Sequence, residues 1–115
     1  MKISYGITVY NEAEELKRLF EVLYKNIDDT DEVVVCVDGD DDAVRFELDV
    51  YTKKFSDSYK PVKVYNRKLK KDFAAQKNSV IENSTGDYVS SMFLYKEWNN
   101  NTYKNGVGEL QKKVG

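Results

Sequence analysis

Two hydrophobic periods alternate along the chain. Ile3 to Val9 is a short β-rich run, after which Leu16, Leu19, Phe20 and Leu23 recur at helical spacing as one apolar stripe. Asn11 is the predicted N-cap of that helix, with Glu14 three residues on as its capping-box partner. Asn26 to Asp31 is polar and turn-like, and Glu32 to Val37 follows as a near-continuous apolar run. Such a run is expected of a strand covered on both faces, which predicts a parallel sheet between helical layers. The acidic segment Asp38 to Asp42 leads into a second helix with Val44, Leu48, Tyr51 and Phe55 as its stripe and Asp41 or Asp42 as its cap. Val62 to Tyr65 predicts a third strand, Asn66 to Lys71 a basic loop, and Asp72 the cap of a third helix carrying Phe73, Ala74, Val80 and Ile81. Ser84-Thr85-Gly86 ends that helix, and Tyr88 to Leu94 reads as a fourth strand.

The order βαβαβαβ predicts an α/β fold: an open, mainly parallel sheet of about four strands with three helices, its ligands at the carboxyl ends of the strands. Residues 1–94 form this domain, and 95–115 are expected to be an irregular or helical tail. The length of 115 residues fits one core and leaves no room for a second domain beside it. A formal net charge of −2 with both signs interspersed gives no field drawing the chain onto nucleic acid or anionic lipid, so neither is an expected partner. No apolar run reaches membrane-spanning length and the first residues do not read as a signal peptide, so a cytoplasmic location is expected. Cys36 is the single cysteine, set in a valine run as a small buried hydrophobe. Histidine is absent, so acid or base chemistry falls to Asp, Glu, Lys or Tyr.

The loops after the strands are where chemistry is sought. None carries a Gly-x-Gly-x-x-Gly or phosphate-loop pattern, so another mode of nucleotide binding is needed. In the first loop, Thr8-Val9-Tyr10-Asn11-Glu12 offers an aromatic ring and polar groups at a strand end, suited to stacking a base, or else simply caps the helix. The cluster Asp38, Asp40, Asp41, Asp42 is no calcium hand, because Ala43 stands where the loop glycine belongs and Asp49 where the bidentate glutamate belongs. Four carboxylates in five residues repel unless water, a cation or a ligand's donors separate them, so the segment reads either that way or as a solvated, helix-capping loop. Asp38 sits at the ligand-facing edge, where it can accept a hydrogen bond from a base or ribose. Arg67 at a strand end and Lys77 one turn into the third helix suit a diphosphate, whereas Lys68, Lys70 and Lys71 read as solvated surface.

These segments resemble family 2 glycosyltransferases. Ile7-Thr8-Val9-Tyr10-Asn11-Glu12 is similar to the family's first strand and turn, and Val35-Cys36-Val37-Asp38-Gly39 to its second strand with a uridine-contacting aspartate. Asn66-Arg67, Asp72-Phe73-Ala74-Ala75-Gln76-Lys77-Asn78 and Gly86-Asp87-Tyr88-Val89 resemble the subset acting on lipopolysaccharide core and related glycans. The resemblance implies a nucleotide-diphospho-sugar transferase-like fold, here truncated, and a UDP-sugar as ligand. Thr8, Tyr10 and Glu12 would then contact the nucleoside, Asp38 the uracil edge, and Arg67 and Lys77 the diphosphate. It also implies a divalent metal, Mn or Mg, held by an Asp-x-Asp motif after the fourth strand. Phe93-Leu94-Tyr95 occupies that stretch with neither aspartate, and the resemblance stops at Ser90. Two function classes follow: a partial glycosyltransferase that binds nucleotide-sugar without transferring it, and a non-catalytic α/β binding module. A small sheet with uncovered apolar surface also predicts a homodimer.

Overall fold

A computed structural model describes residues 2–68, 72–92, 94 and 109–112. The elements run β1 (Ile3–Val9), α1 (Ala13–Asn26), β2 (Glu32–Asp38), α2 (Asp42–Asp57), β3 (Val62–Arg67), α3 (Phe73–Asn83), β4 (Tyr88–Met92) and β5 (Glu109–Lys112). They form a five-stranded sheet in the order β3-β2-β1-β4-β5. β1 pairs parallel with both β2 and β4, and β2 pairs parallel with β3. The four parallel strands and three helices are the predicted α/β architecture.

β5 is a finding against the expected irregular or helical tail, since Glu109–Lys112 pairs antiparallel with Ser91 to Tyr88. Four residues are too few to announce a strand by alternation, and the open edge of β4 supplies the pairing that defines this one. The expected domain boundary at 94/95 and the segment Trp98–Asn101 lie outside the described residues.

The sheet order explains the continuous apolar run of β2. From β1 the chain steps one way to β2 and β3, then crosses back to β4 on the other side of β1. Right-handed crossovers therefore put α1 and α2 on one face and α3 on the other. Val33, Val35 and Val37 pack with Leu16, Leu19, Phe20, Leu23, Val44, Leu48 and Phe55 in the larger core. Phe20 anchors that layer, stacked on Tyr51 at 5.1 Å between ring centroids and edge-on to Phe55 at 5.8 Å. Val34 and Cys36 point the opposite way, into a smaller cluster with Val80 and Val89. Burial pushes the Cys36 thiol above its usual pKa, in keeping with a packing role. α3 comes close because β1 carries Gly6 there: a Cβ at Gly6 would stand 2.2 Å from a Val80 methyl.

Two helix details differ from the sequence reading. Asn11 does not cap α1; Glu12 holds the N-cap position without a side-chain cap bond. Its carboxylate instead accepts the amides of Tyr10 at 3.2 Å and Asn11 at 2.6 Å, folding the loop onto itself. Glu14 faces Arg18 at 3.8 Å on the surface rather than completing a capping box. Asp41 and Asp72 do cap α2 and α3, accepting the amides of Val44 and Ala75, each at 3.0 Å. On α3 the buried face is Gln76, Ser79 and Val80, whereas Ala74 is exposed and Ile81 half-buried. The inward face is partly polar, and Gln76 on it donates to the carbonyls of Val9 and Cys36.

The opposite, amino-terminal end of the sheet is tied by Glu32, which is 1% exposed. Its carboxylate accepts Ser4 Oγ at 2.5 Å, the Thr85 amide at 2.7 Å, Thr85 Oγ1 at 3.0 Å and Lys63 Nζ at 3.1 Å. Burial pushes its pKa up, but the bonds from Ser4, Thr85 and Lys63 outweigh that and hold it at about 2. β1, β2, β3 and the α3–β4 turn are thereby joined through one ionised group.

Candidate functional site

Strand alternation decides which of the predicted site residues can act together. Along β1, Tyr5, Ile7 and Val9 belong to the core beneath α1 and α2, so Thr8 lies on the α3 face. Asp38 follows Val34 and Cys36 on that same face, and Arg67 follows Tyr65, which packs against the same small cluster. Register aligns them, with Thr8 beside Cys36, Cys36 beside Tyr65, and Asp38 beside Arg67. Thr8, Asp38 and Arg67 thus occupy the carboxyl ends of three adjacent parallel strands on one face.

Tyr10 continues from β1 into the same region. Gly39, one residue beyond β2, has φ +87°, and a Cβ built there would meet the Tyr10 ring at 3.2 Å. The half-buried ring therefore lies against the β2 turn. The Gly39 amide donates to the Arg67 carbonyl at 3.0 Å, so the turn after β2 is also anchored to the end of β3. These bonds produce a continuous rim from Tyr10 through Asp38 and Gly39 to Arg67.

Individual environments differ along this rim. Asp38 is 1% exposed, whereas the Arg67 side chain is exposed to solvent. The charges of both are felt at the Cys36 thiol, placing them in one electrostatic neighbourhood. Lys77 is half-buried in the second turn of α3, and Glu12 is half-buried at the start of α1 with its carboxylate engaged by the loop amides. Glu12 consequently shapes the first loop.

Sequence reading missed Gln76 as a site component. It is 4% exposed, and its amide nitrogen donates to the Val9 carbonyl at 3.1 Å and the Cys36 carbonyl at 3.4 Å. The available signal was a polar residue three and four positions before Ser79 and Val80, on the side of α3 that packs inward.

The rest of the acidic cluster disperses. Asp40 and Asp42 both pair with Arg45, while Asp41 spends a carboxylate oxygen on its helix cap. Among the described residues no three His, Cys, Asp or Glu side chains gather as a metal site. The family position at 93–95, where the resemblance implied a divalent cation, lies outside the described residues apart from Leu94. A groove of about 520 Å³ opens between α2 and β3, lined by Val37, Leu48, Val64 and Asn66 and rimmed by charged residues. It opens on the α2 face, opposite Asp38 and Arg67, and meets the rim described above at Gly39, which also lines it. No helix among the described residues is long and apolar enough to cross a membrane.

A doubly wound sheet of this order, with three helices, defines a nucleotide-diphospho-sugar transferase-like fold, matched by a mannosyltransferase from Pyrobaculum calidifontis in complex with GDP-Man and Mn2+. That likeness has a TM-score of 0.75 at 19% identity, covering 90% of this chain and 30% of the other. S. aureus TarS, residues 1–349, superposes with a TM-score of 0.72 at 23% identity, covering 91% of this chain and 31% of the other. Residues 4–92 match the model of glycosyl transferase family 2, and the chain belongs to that family. It spans about a third of the length of these structural neighbours. No curated protein matches it by sequence.

Proposed function

We propose that this domain binds the nucleoside diphosphate of a nucleotide-sugar, a UDP-sugar, along the rim formed by Tyr10, Asp38, Gly39 and Arg67. The observation that carries this reading is the shared row at the strand ends, where Asp38 lies beside Arg67 and the Gly39 amide bonds to the Arg67 carbonyl. An aromatic ring, a carboxylate and a guanidinium on one edge match the three chemical parts of the ligand: base, base or ribose donors, and diphosphate. Thr8 and Lys77 extend the contacts on the α3 face, and Glu12 holds the Tyr10 loop in shape. Support also comes from the neighbouring mannosyltransferase, which is described in complex with GDP-Man.

On its own the chain is proposed to hold the nucleotide without transferring sugar at a useful rate. Transfer requires charge stabilisation at the leaving diphosphate and a carboxylate positioned on the acceptor hydroxyl. Phe93-Leu94-Tyr95 replaces the aspartates that would serve the first need. Calorimetric titration with UDP and with GDP tests the binding, and diphosphate release from labelled sugar donors tests the turnover. Saturable UDP binding that Asp38→Asn weakens by about 1–3 kcal/mol is expected. Absence of binding to either nucleotide overturns the site, and robust metal-dependent turnover overturns the inactivity.

A further inference from the structure

We infer that Gln76 is a positioning residue for the candidate site, setting the separation of the first two strand ends from the sheet-facing side of α3. The argument begins with its contacts: one carboxamide nitrogen donates to Val9 O at 3.1 Å and to Cys36 O at 3.4 Å. Val9 is the last residue of β1, and Cys36 lies two residues before the end of β2. Register places Val9 beside Val37, so the bridged carbonyls belong to neighbouring rungs immediately before the ligand loops. A planar NH2 group has two hydrogens, enough to serve both acceptors at once.

Burial makes the clamp matter. Gln76 is 4% exposed, so neither carbonyl can exchange this donor for bulk water without opening α3 from the sheet. The residues held in place are those of the proposed nucleotide rim. Tyr10 follows Val9 directly, its ring lies against Gly39, and Gly39 bonds to Arg67. Spreading β1 from β2 at this end would draw the Tyr10 ring away from Gly39. Its position in α3 is fixed by the Asp72 cap on one side and by Val80 packed into the β2–β4 cluster on the other. The consequence for affinity rests on the proposed function, whereas the mechanical role stands on the hydrogen bonds.

Amide hydrogen exchange separates the two. Tyr10 and Asn11 donate their amides to Glu12, and Gly39 donates its amide to Arg67, giving three reporters around the clamp. In Gln76→Met, which keeps length and loses both donors, these three are expected to exchange roughly tenfold faster relative to the amides of β2 near Val33. Gln76→Asn, too short to reach both carbonyls, should show the same local change if the methionine variant does not fold. Val80→Ala serves as a packing control on the same face: it should lower stability without changing the ranking of the three reporters. Gln76 variants that speed all amides equally, or leave the three within about twofold of wild type, overturn the positioning role. UDP titration of the same variants should show about tenfold weaker binding. If the wild-type chain binds no nucleotide, the proposed function fails while the exchange comparison still decides the role of Gln76.

Discussion

The ring of Tyr10 occupies the space that a side chain on Gly39 would need, with the two closest atoms 3.2 Å apart in the built geometry. This contact joins a residue after β1 to a residue after β2, and it depends on Gly39 adopting φ +87°. Both the left-handed backbone and the crowded Cβ position oppose any larger residue. Gly39→Ala is expected to destabilise the domain by roughly 1–2 kcal/mol. It should also weaken UDP binding by moving the ring. An unchanged denaturation midpoint in urea would show that the turn relaxes freely.

At the other end of the sheet, Glu32 gives stability a pH dependence of known sign. Its folded pKa of about 2 lies below the ordinary value of 4.5, so folding favours its ionised form. The contribution is complete above the unfolded-state pKa and is lost as pH falls through the folded value. The shift corresponds to on the order of 3 kcal/mol. Glu32→Gln should remove most of this slope between pH 4.5 and about 2, measured as unfolding free energy against pH. An equal slope in wild type and variant would assign the acid response to other carboxylates.

The close approach of α3 to β1 predicts a coupled pair. Gly6→Ala introduces a methyl where Val80 already stands and is expected to cost about 1–3 kcal/mol through overpacking. Val80→Ala leaves a hole beside the same atom. The double variant should be more stable than the sum of the two losses predicts, because each change supplies what the other needs. Strict additivity in a double-mutant cycle would mean that the contact is relieved elsewhere.

The end of α2 offers a stabilising change. Tyr59 has φ +59° and is 87% exposed, while Lys60 N–H bonds to Phe55 O at 2.8 Å and Tyr59 N–H to Ser56 O at 3.0 Å. This is the left-handed helix terminus that glycine suits best, and little packing is lost on removing the ring. Tyr59→Gly should raise stability by about 0.5–1 kcal/mol. A fall in melting temperature would indicate that the tyrosine ring makes a contribution larger than its backbone cost.

Much of this architecture was legible along the chain because burial imposes a period. The β2 run could be read as covered on both faces, and the stripes Leu16-Leu19-Phe20-Leu23 and Val44-Leu48-Tyr51-Phe55 lie in the core as their spacing required. Asp41 and Asp72 were readable as caps because a capping carboxylate acts within three residues of itself. Thr8, Asp38 and Arg67 could be placed at strand ends, since alternation and strand order are properties of short segments.

What the tertiary structure decided was everything set by contacts distant in sequence. Asn11 lost its expected capping role to a position held by Glu12, whose carboxylate turns back onto the amides of Tyr10 and Asn11, a closure that no local period encodes. Gln76 interrupted an expected apolar stripe because its partners, the carbonyls of Val9 and Cys36, lie 67 and 40 residues away. Glu32 could be ionised in the interior only because Ser4, Lys63 and Thr85 converge on it from three other segments. β5 took its conformation from the edge of β4. Local sequence determined which faces had to be buried, since that depends on the spacing of apolar side chains; the assembled sheet determined which polar groups met, since a hydrogen bond needs a partner within about 3 Å whatever its position in the chain.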